Sequence, residues 1–161
     1  MVKERDMESS SKFSALGLSA ESLQVLTELK YETPTEIQSA SIPPLLAGRD
    51  LLGQSKTGSG KTAAFTLPLL EKLDLKAGAG GRKSLQGLIL CPTRELCTQV
   101  ASEVRKLGRR HPGLQVLTLS GGQPFFPQKV SLERGVHVIV GTPGRVLDHL
   151  NRQTVDFSRL S

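Results

Sequence analysis

Ser55-Lys56-Thr57-Gly58-Ser59-Gly60-Lys61-Thr62, or SKTGSGKT, is the stretch around which the rest of the chain reads. The apolar pair Leu51-Leu52 leads in and the apolar segment 63–73 leads out. That order predicts a strand, a tight loop and a buried helix. Gly58, Ser59 and Gly60 let successive backbone N–H groups converge on anionic oxygens, and the helix N-terminus adds partial positive charge. In such a loop Lys61 reaches the terminal phosphates of a bound polyphosphate, and the Thr62 hydroxyl ligates Mg²⁺. Ser55 departs from the general phosphate-loop pattern, which has glycine at that place. A glycine-rich surface turn before a buried helix is the plain alternative, and the order of strand, loop, Lys-Thr and helix argues against it.

On the amino-terminal side, residues 1–12 are polar and expected to be disordered. Phe13, Leu16 and Leu18 then lead to Ser19, a predicted N-cap, with Leu23, Leu26 and Leu29 on one side of the helix that follows. The segment YETPTEIQ, Tyr31 to Gln38, breaks and restarts the chain. Pro34 suits the first turn of a second helix, with Gln38 just inside it. Pro43 and Pro44 are expected to interrupt that helix, and Pro68 to bend the helix after the loop. Residues 76–84, KAGAGGRKS, read as an exposed flexible loop.

Beyond that loop the chain alternates. Strands are predicted at 85–91, 114–119 and 136–140. A helix carrying Leu96, Val100, Val104 and Leu107 follows the first of them. GGQPFFPQ reads as irregular, with a short helix near Val130 to Glu133, and GTPGRVLDHL turns into a last helix. Apolar strands alternating with helices predict an α/β fold with a parallel sheet covered by helices. Ligands collect beyond the carboxyl ends of such strands. The segments SKTGSGKT, PTREL, SGG and TPGR are therefore expected along one edge.

The 161 residues suit one domain. A formal net charge of +6 favours a polyanionic partner, nucleic acid before membrane. No apolar run approaches the ~20 residues that span a bilayer. The amino terminus MVKERDMESSSK has no apolar signal core, which predicts a cytoplasmic protein. Cys91 and Cys97 have no metal-type spacing with the three histidines and read as buried free thiols. The cations Arg105, Lys106, Arg109 and Arg110, with His111, read as a solvated helix end. His137 and His149 are assigned no role.

Taken together, these segments resemble the first RecA-like domain of the DEAD-box RNA helicases, from Phe13 through Leu150. Residues 31–38 look like the family's Q motif, with Phe13 as its upstream aromatic, so the motif spans 13–38. Ser55 to Thr62 matches motif I, with Ser55 where the family usually has alanine. Pro92-Thr93-Arg94-Glu95-Leu96 matches motif Ia, Gly121-Gly122 the GG doublet, and Thr142-Pro143-Gly144-Arg145 motif Ib. The wording CPTREL and GGQPF looks most like the DbpA-like branch, which implies a role in ribosome assembly and a ribosomal RNA partner.

The resemblance implies a RecA-like P-loop NTPase sheet over 13–161. It implies ATP with Mg²⁺ held by Phe13, Tyr31, Thr33, Gln38 and residues Ser55, Lys56, Thr57, Gly58, Ser59, Gly60, Lys61 and Thr62. Lys61 and Thr62 are the catalytic pair and Thr62 the metal ligand. RNA contacts are implied for Pro92, Thr93, Arg94, Gly121, Gly122, Thr142, Pro143, Gly144 and Arg145. The family's Asp-Glu-Ala-Asp strand, its Ser-Ala-Thr motif and its second RecA-like domain, a partner of the first, have no counterpart in these residues. The domain is therefore expected to be incomplete at its C-terminus and unable to hydrolyse ATP alone.

Each motif also reads on its own chemistry. A glutamine amide donates one hydrogen bond and accepts another, so Gln38 can read the N7 and N6 edge of adenine. Equally, Gln38 can be an ordinary helix residue and Phe13 a core anchor. Thr93 can be an N-cap, Arg94 can pair with an acid, and Gly144 can be a simple turn. Two other functions stand beside the helicase: a non-catalytic module binding adenine nucleotide or RNA, and an unrelated P-loop NTPase.

Overall fold

The computed structural model describes residues 12–76 and 83–160. The expected amino-terminal disorder and most of the 76–84 loop lie outside them. The chain divides into two compact units, one of residues 1–72 with 107–110, the other of residues 73–106 with 111–161.

The first unit is helical. A 3₁₀ turn, Phe13–Ala15, precedes α1 (Ala20–Glu28). Ser19 caps α1 as expected, its hydroxyl accepting from Ser22 N at 3.3 Å. The same residue donates from both its N–H and its hydroxyl to Glu71 Oε1, at 3.1 and 2.9 Å. The buried stripe of α1 is Ser22, Val25 and Leu26; Leu23 and Leu29 are half-buried. Helix α2 spans Glu36–Leu46 and α3 spans Lys61–Lys72; the two pack against each other, and Ile42, Ala63, Ala64, Leu67 and Leu70 are buried.

Two expectations fail in this unit. Pro43 and Pro44 do not interrupt α2; Pro68 lies within α3, where it was expected. Pro43 and Pro44 each remove one i→i−4 bond in the last turn, yet the chain stays helical around them. The carbonyls of both still accept from Ala47 N and Arg49 N, each at 3.0 Å. Residues 51–56 form no strand. A strand exists only against a hydrogen-bonded neighbour. Among the described residues no strand pairs with this segment, so Leu52 stands fully exposed.

The second unit holds the sheet: β1 (Gly87–Leu90), α4 (Arg94–Leu107), β2 (Val116–Leu119), α5 (Phe125–Arg134), β3 (Val138–Gly141) and α6 (Pro143–Asn151). The three strands are parallel in the order β1-β3-β2. Central β3 is buried at all four positions, as its unbroken apolar run requires. Leu119, Val136, Ile139 and Val146 form the core, flanked by Leu85, Leu88, Leu132 and Phe157. At the mouth of the long loop, the Gln86 amide accepts from Asp74 N and donates to Asp74 O, both at 2.8 Å.

Helix α4 buries Cys97, Val100, Ala101, Val104 and Leu107, while Leu96 is 37% exposed. Small Cys97 and Ala101 complete the stripe that the larger Leu96 was expected to begin. Helix α5 begins at Phe125, earlier than expected, because Pro124 sits at its N-cap and Pro127 in its first turn. A missing N–H costs nothing there.

Candidate functional site

In the first unit, side-chain hydrogen bonds tie the loop 55–60 across itself. The Lys61 ammonium donates to Ser55 O, to Lys56 O at 2.7 Å and to Ser55 Oγ at 3.3 Å. Ser55 and Ser59 join through their hydroxyls at 2.6 Å, so the serine that departs from the general pattern contributes a cross-loop bond. Gly58 and Gly60 adopt φ of +80° and +87°, a backbone that favours glycine. Lys56, Thr57 and Gly58 are exposed, and Thr62 is half-buried in the first turn of α3.

Thr35 and Gln38 form a capping box at the start of α2. Thr35 N donates to Gln38 Oε1 at 2.9 Å. Both side chains then cross to the loop, Thr35 Oγ1 donating to Ser59 O at 2.8 Å and Gln38 Nε2 to Gly60 O at 3.2 Å. Gln38 is 1% exposed. It braces the loop from below, keeping one N–H and one lone pair beyond these two bonds. A Cβ on Gly60 would lie 2.3 Å from Gln38 Nε2. The T-x-x-Q spacing was a readable signal for this brace that the motif reading passed over. Phe13 is buried and meets Tyr31 edge-on, ring centroids 6.3 Å apart, as a core anchor would. Thr33 is exposed.

In the second unit, register aligns the strand ends. Leu90 and Leu119 both pair with Gly141, so the segments after β1, β2 and β3 leave the sheet together. Pro92, Thr93, Arg94, Gly121, Thr142, Gly144 and Arg145 line one open groove there, with Glu95 and Asp148. Pro143 is exposed at the first position of α6. Three of the four segments expected along one edge therefore share a site. Thr93 Oγ1 accepts from Leu96 N at 3.2 Å and caps α4, the plainer of its two readings. Arg94 is exposed and makes no ion pair among the described residues, unlike the alternative in which an acid holds it. Its guanidinium lies over Gly122, where a Cβ would be 2.0 Å from Nη1. Asp148 is engaged by Arg152 at 2.7 Å, which leaves Glu95 as the acid in the groove outside an ion pair among the described residues.

Arg145 is fixed from behind. Its Nη1 donates to Gln123 O at 3.0 Å and to Gln128 Oε1 at 2.9 Å. Gln128 also donates to Ser120 O at 3.2 Å and contacts His149 Nε2 at 3.1 Å. His149 is fully buried, stacked on Phe125 with centroids 4.2 Å apart, and its Nδ1 meets Thr154 Oγ1 at 2.8 Å. Burial, then the Arg145 charge, pushes its imidazole pKa down. The sequence reading left His149 and Gln128 out; they act through contacts between helices that no local spacing announces.

Cys91 and Cys97 are buried free thiols, as expected. Burial raises both, Cys97 to about 11, which makes them inert. Within the first unit, Arg109 and Arg110 both pair with Glu28. Arg105 donates to Val116 O, so most of the basic cluster is committed to the fold. No helix among the described residues is long and apolar enough to cross a membrane.

The family model described as DEAD/DEAH box helicase matches residues 35–161. The chain is 50% identical over 149 residues to the ATP-dependent RNA helicase DeaD of Escherichia coli K12, covering 92% of this chain and 23% of that protein. It is 52% identical over 136 residues to the ATP-dependent RNA helicase DbpA of the same organism, covering 84% and 29%. It thus spans about a quarter of the curated relatives it matches. Among solved structures, a DEAD box protein from the hyperthermophile Methanococcus jannaschii superposes with a TM-score of 0.85 at 37% identity, over 94% of this chain and 40% of the other. Saccharomyces cerevisiae Dbp5, bound to RNA and ADP BeF3, superposes with a TM-score of 0.81 at 30% identity, over 94% and 37%.

Proposed function

The chain belongs to the DEAD/DEAH box helicase family, and from that membership we propose that it supplies the ATP-binding and RNA-backbone-binding surfaces of an ATP-dependent RNA helicase. Residues 13–161 would form the first part of its ATP-binding RecA-like domain. The observation that carries the reading is the 55–62 loop, with its ammonium turned onto loop oxygens and its Gly60 carbonyl braced by a buried amide.

The loop's chemistry fits a polyphosphate. The Lys61 donors face oxygens that phosphate oxygens can replace, and Gly58 has open space around it. Bound ATP would supply the phosphoryl group to be transferred. Lys61 would hold its terminal phosphates, and Gln38, through its remaining N–H and lone pair, would favour adenine over guanine. Among the described residues no three His, Cys, Asp or Glu converge as a metal site. Mg²⁺ would then be held by Thr62 together with the nucleotide's own oxygens.

In the groove, Arg94 and Arg145 present guanidinium groups, and the α4 and α6 N-termini present backbone N–H groups. Such a surface follows a ribose-phosphate backbone and reads no sequence. Strand separation in a longer protein containing this chain would use both surfaces together. DeaD and DbpA match at 50% and 52% identity, so similarity favours neither branch. A ribosomal RNA partner rests on the CPTREL and GGQPF wording alone.

The test is fluorescence titration of the 161-residue chain with N-methylanthraniloyl ATP and its guanine analogue. Binding that prefers adenine and weakens at least about tenfold in Lys61→Ala is expected, the loss of one charge-assisted contact. Equal binding by Lys61→Ala overturns the assignment of the loop.

A further inference from the structure

We infer that Gln128, which no motif contains, is the positioning residue that orients Arg145 toward RNA and couples it to the Gly121-Gly122 turn. The inference deepens the RNA-binding reading and rests on it.

The geometry is that of one amide serving three clients. Gln128 is buried to 6% exposure on α5. Its Nε2 donates to Ser120 O, the carbonyl immediately before Gly121. Its Oε1 accepts from Arg145 Nη1 at 2.9 Å and stands 3.1 Å from His149 Nε2. The orientation of the amide follows from its partners, since Ser120 O can only accept and Arg145 can only donate. His149 Nε2 must then carry its proton, while the Thr154 hydroxyl, with one proton, lies 2.8 Å from Nδ1 and 3.0 Å from His149 O. The carbonyl of His149 also accepts from Thr154 N at 3.0 Å.

Arg145 has five N–H groups. Both on Nη1 are taken, one by Gln128 Oε1 and one by Gln123 O. Nε and Nη2 therefore form the remaining edge of the guanidinium fork, the edge that meets a phosphate with two parallel hydrogen bonds. A flexible arginine would sample many orientations. Two acceptors on one terminal nitrogen fix the plane and the direction of the free edge. Phe125 adds a wall, with the Arg145 guanidinium carbon 5.9 Å from its ring centroid. The same amide holds Ser120, and Gln123 O follows Gly122, so the glycine turn and Arg145 move as one piece.

The experiment is a double-mutant cycle on the 161-residue chain, using Gln128→Met and Arg145→Ala. Methionine keeps the volume and removes both hydrogen-bonding ends. Binding of fluorescein-labelled oligouridylate is read by anisotropy between about 50 and 200 mM salt, where each phosphate contact on a single strand contributes a slope of about 0.7. Gln128→Met is expected to weaken RNA binding about five- to tenfold and to lower the slope by nearly as much as Arg145→Ala does. The double variant should lose no more than Arg145→Ala alone. Additive losses with the slope of Gln128→Met unchanged overturn the positioning role and leave a packing role only. If Arg145→Ala itself binds RNA as the wild type does, it is the RNA-binding reading of the groove that fails. Should Gln128→Met not fold, Gln128→Asn, with the same amide on a shorter stem, enters the same cycle and is judged by the same coupling.

Discussion

Gly60→Ala tests the brace beneath the 55–60 loop. Gly60 has φ +87°, and a methyl group there would meet Gln38 Nε2 at 2.3 Å, Gln38 Cδ at 3.2 Å and Thr35 Oγ1 at 3.4 Å. The far end of a glutamine could ordinarily swing aside. Gln38 is 1% exposed and bonded at both ends of its amide, so swinging aside means abandoning Gly60 O and Thr35 N together. The left-handed backbone costs alanine about 1–2 kcal/mol. A buried donor left without its acceptor costs about 1–3 kcal/mol more. Gly60→Ala should therefore destabilise by about 2–5 kcal/mol in urea unfolding. In a Gln38→Ala background the clash and the lost bond are already gone, and only the backbone contribution of about 1–2 kcal/mol should remain. Equal costs in the two backgrounds would refute the brace, and so would a cost under about 0.5 kcal/mol in the wild type, the range of an inconsequential surface change.

Gly122→Ala should behave differently. Its methyl would sit 2.0 Å from Arg94 Nη1, but Arg94 is exposed and can move. Stability should fall only by the backbone contribution of about 1–2 kcal/mol, while RNA anisotropy titrations show weaker binding with a shallower salt dependence. Unchanged RNA affinity would detach Arg94 from the groove's function. Acid should weaken the fold through its two buried histidines. Burial lowers both imidazole pKa values, with Lys83 adding to the effect on His137 and Arg145 to that on His149. Between those lowered values and about 6.5 the unfolded chain binds more protons, so stability present above 6.5 is lost as pH falls, at no more than about 1.4 kcal/mol per pH unit for each ring. Urea midpoints that stay flat from about pH 7.5 to 5.5 would contradict this.

How much of this could be read beforehand depends on the range of the interaction. The loop 55–62 and the turns after the strands were legible because their chemistry is written in adjacent residues: glycines, a lysine, an arginine beside a capping threonine. The strand at Leu51-Leu52 was misread because an apolar pair records a tendency, while a strand is a relation to a neighbour. Pro43 and Pro44 were read as interruptions from their identity, whereas the helix continues through both, and GGQPFFPQ was read as irregular although Pro127 falls in a first turn, where a missing N–H costs nothing. Gln128 and His149 were invisible for a third reason. Gln128 finds partners eight and twenty-one residues away, on a loop and another helix, and no periodicity encodes that.

Lys61's grip on three oxygens of its own loop amounts to a threshold. An arriving anion gains only the difference between the contacts it offers the ammonium and those it displaces. On the proposed reading, a run of linked phosphates has an advantage over chloride or acetate because it brings several acceptors at once. If the loop takes a polyphosphate as proposed, its internal bonding would set a first selection by charge density, ahead of any reading of the base.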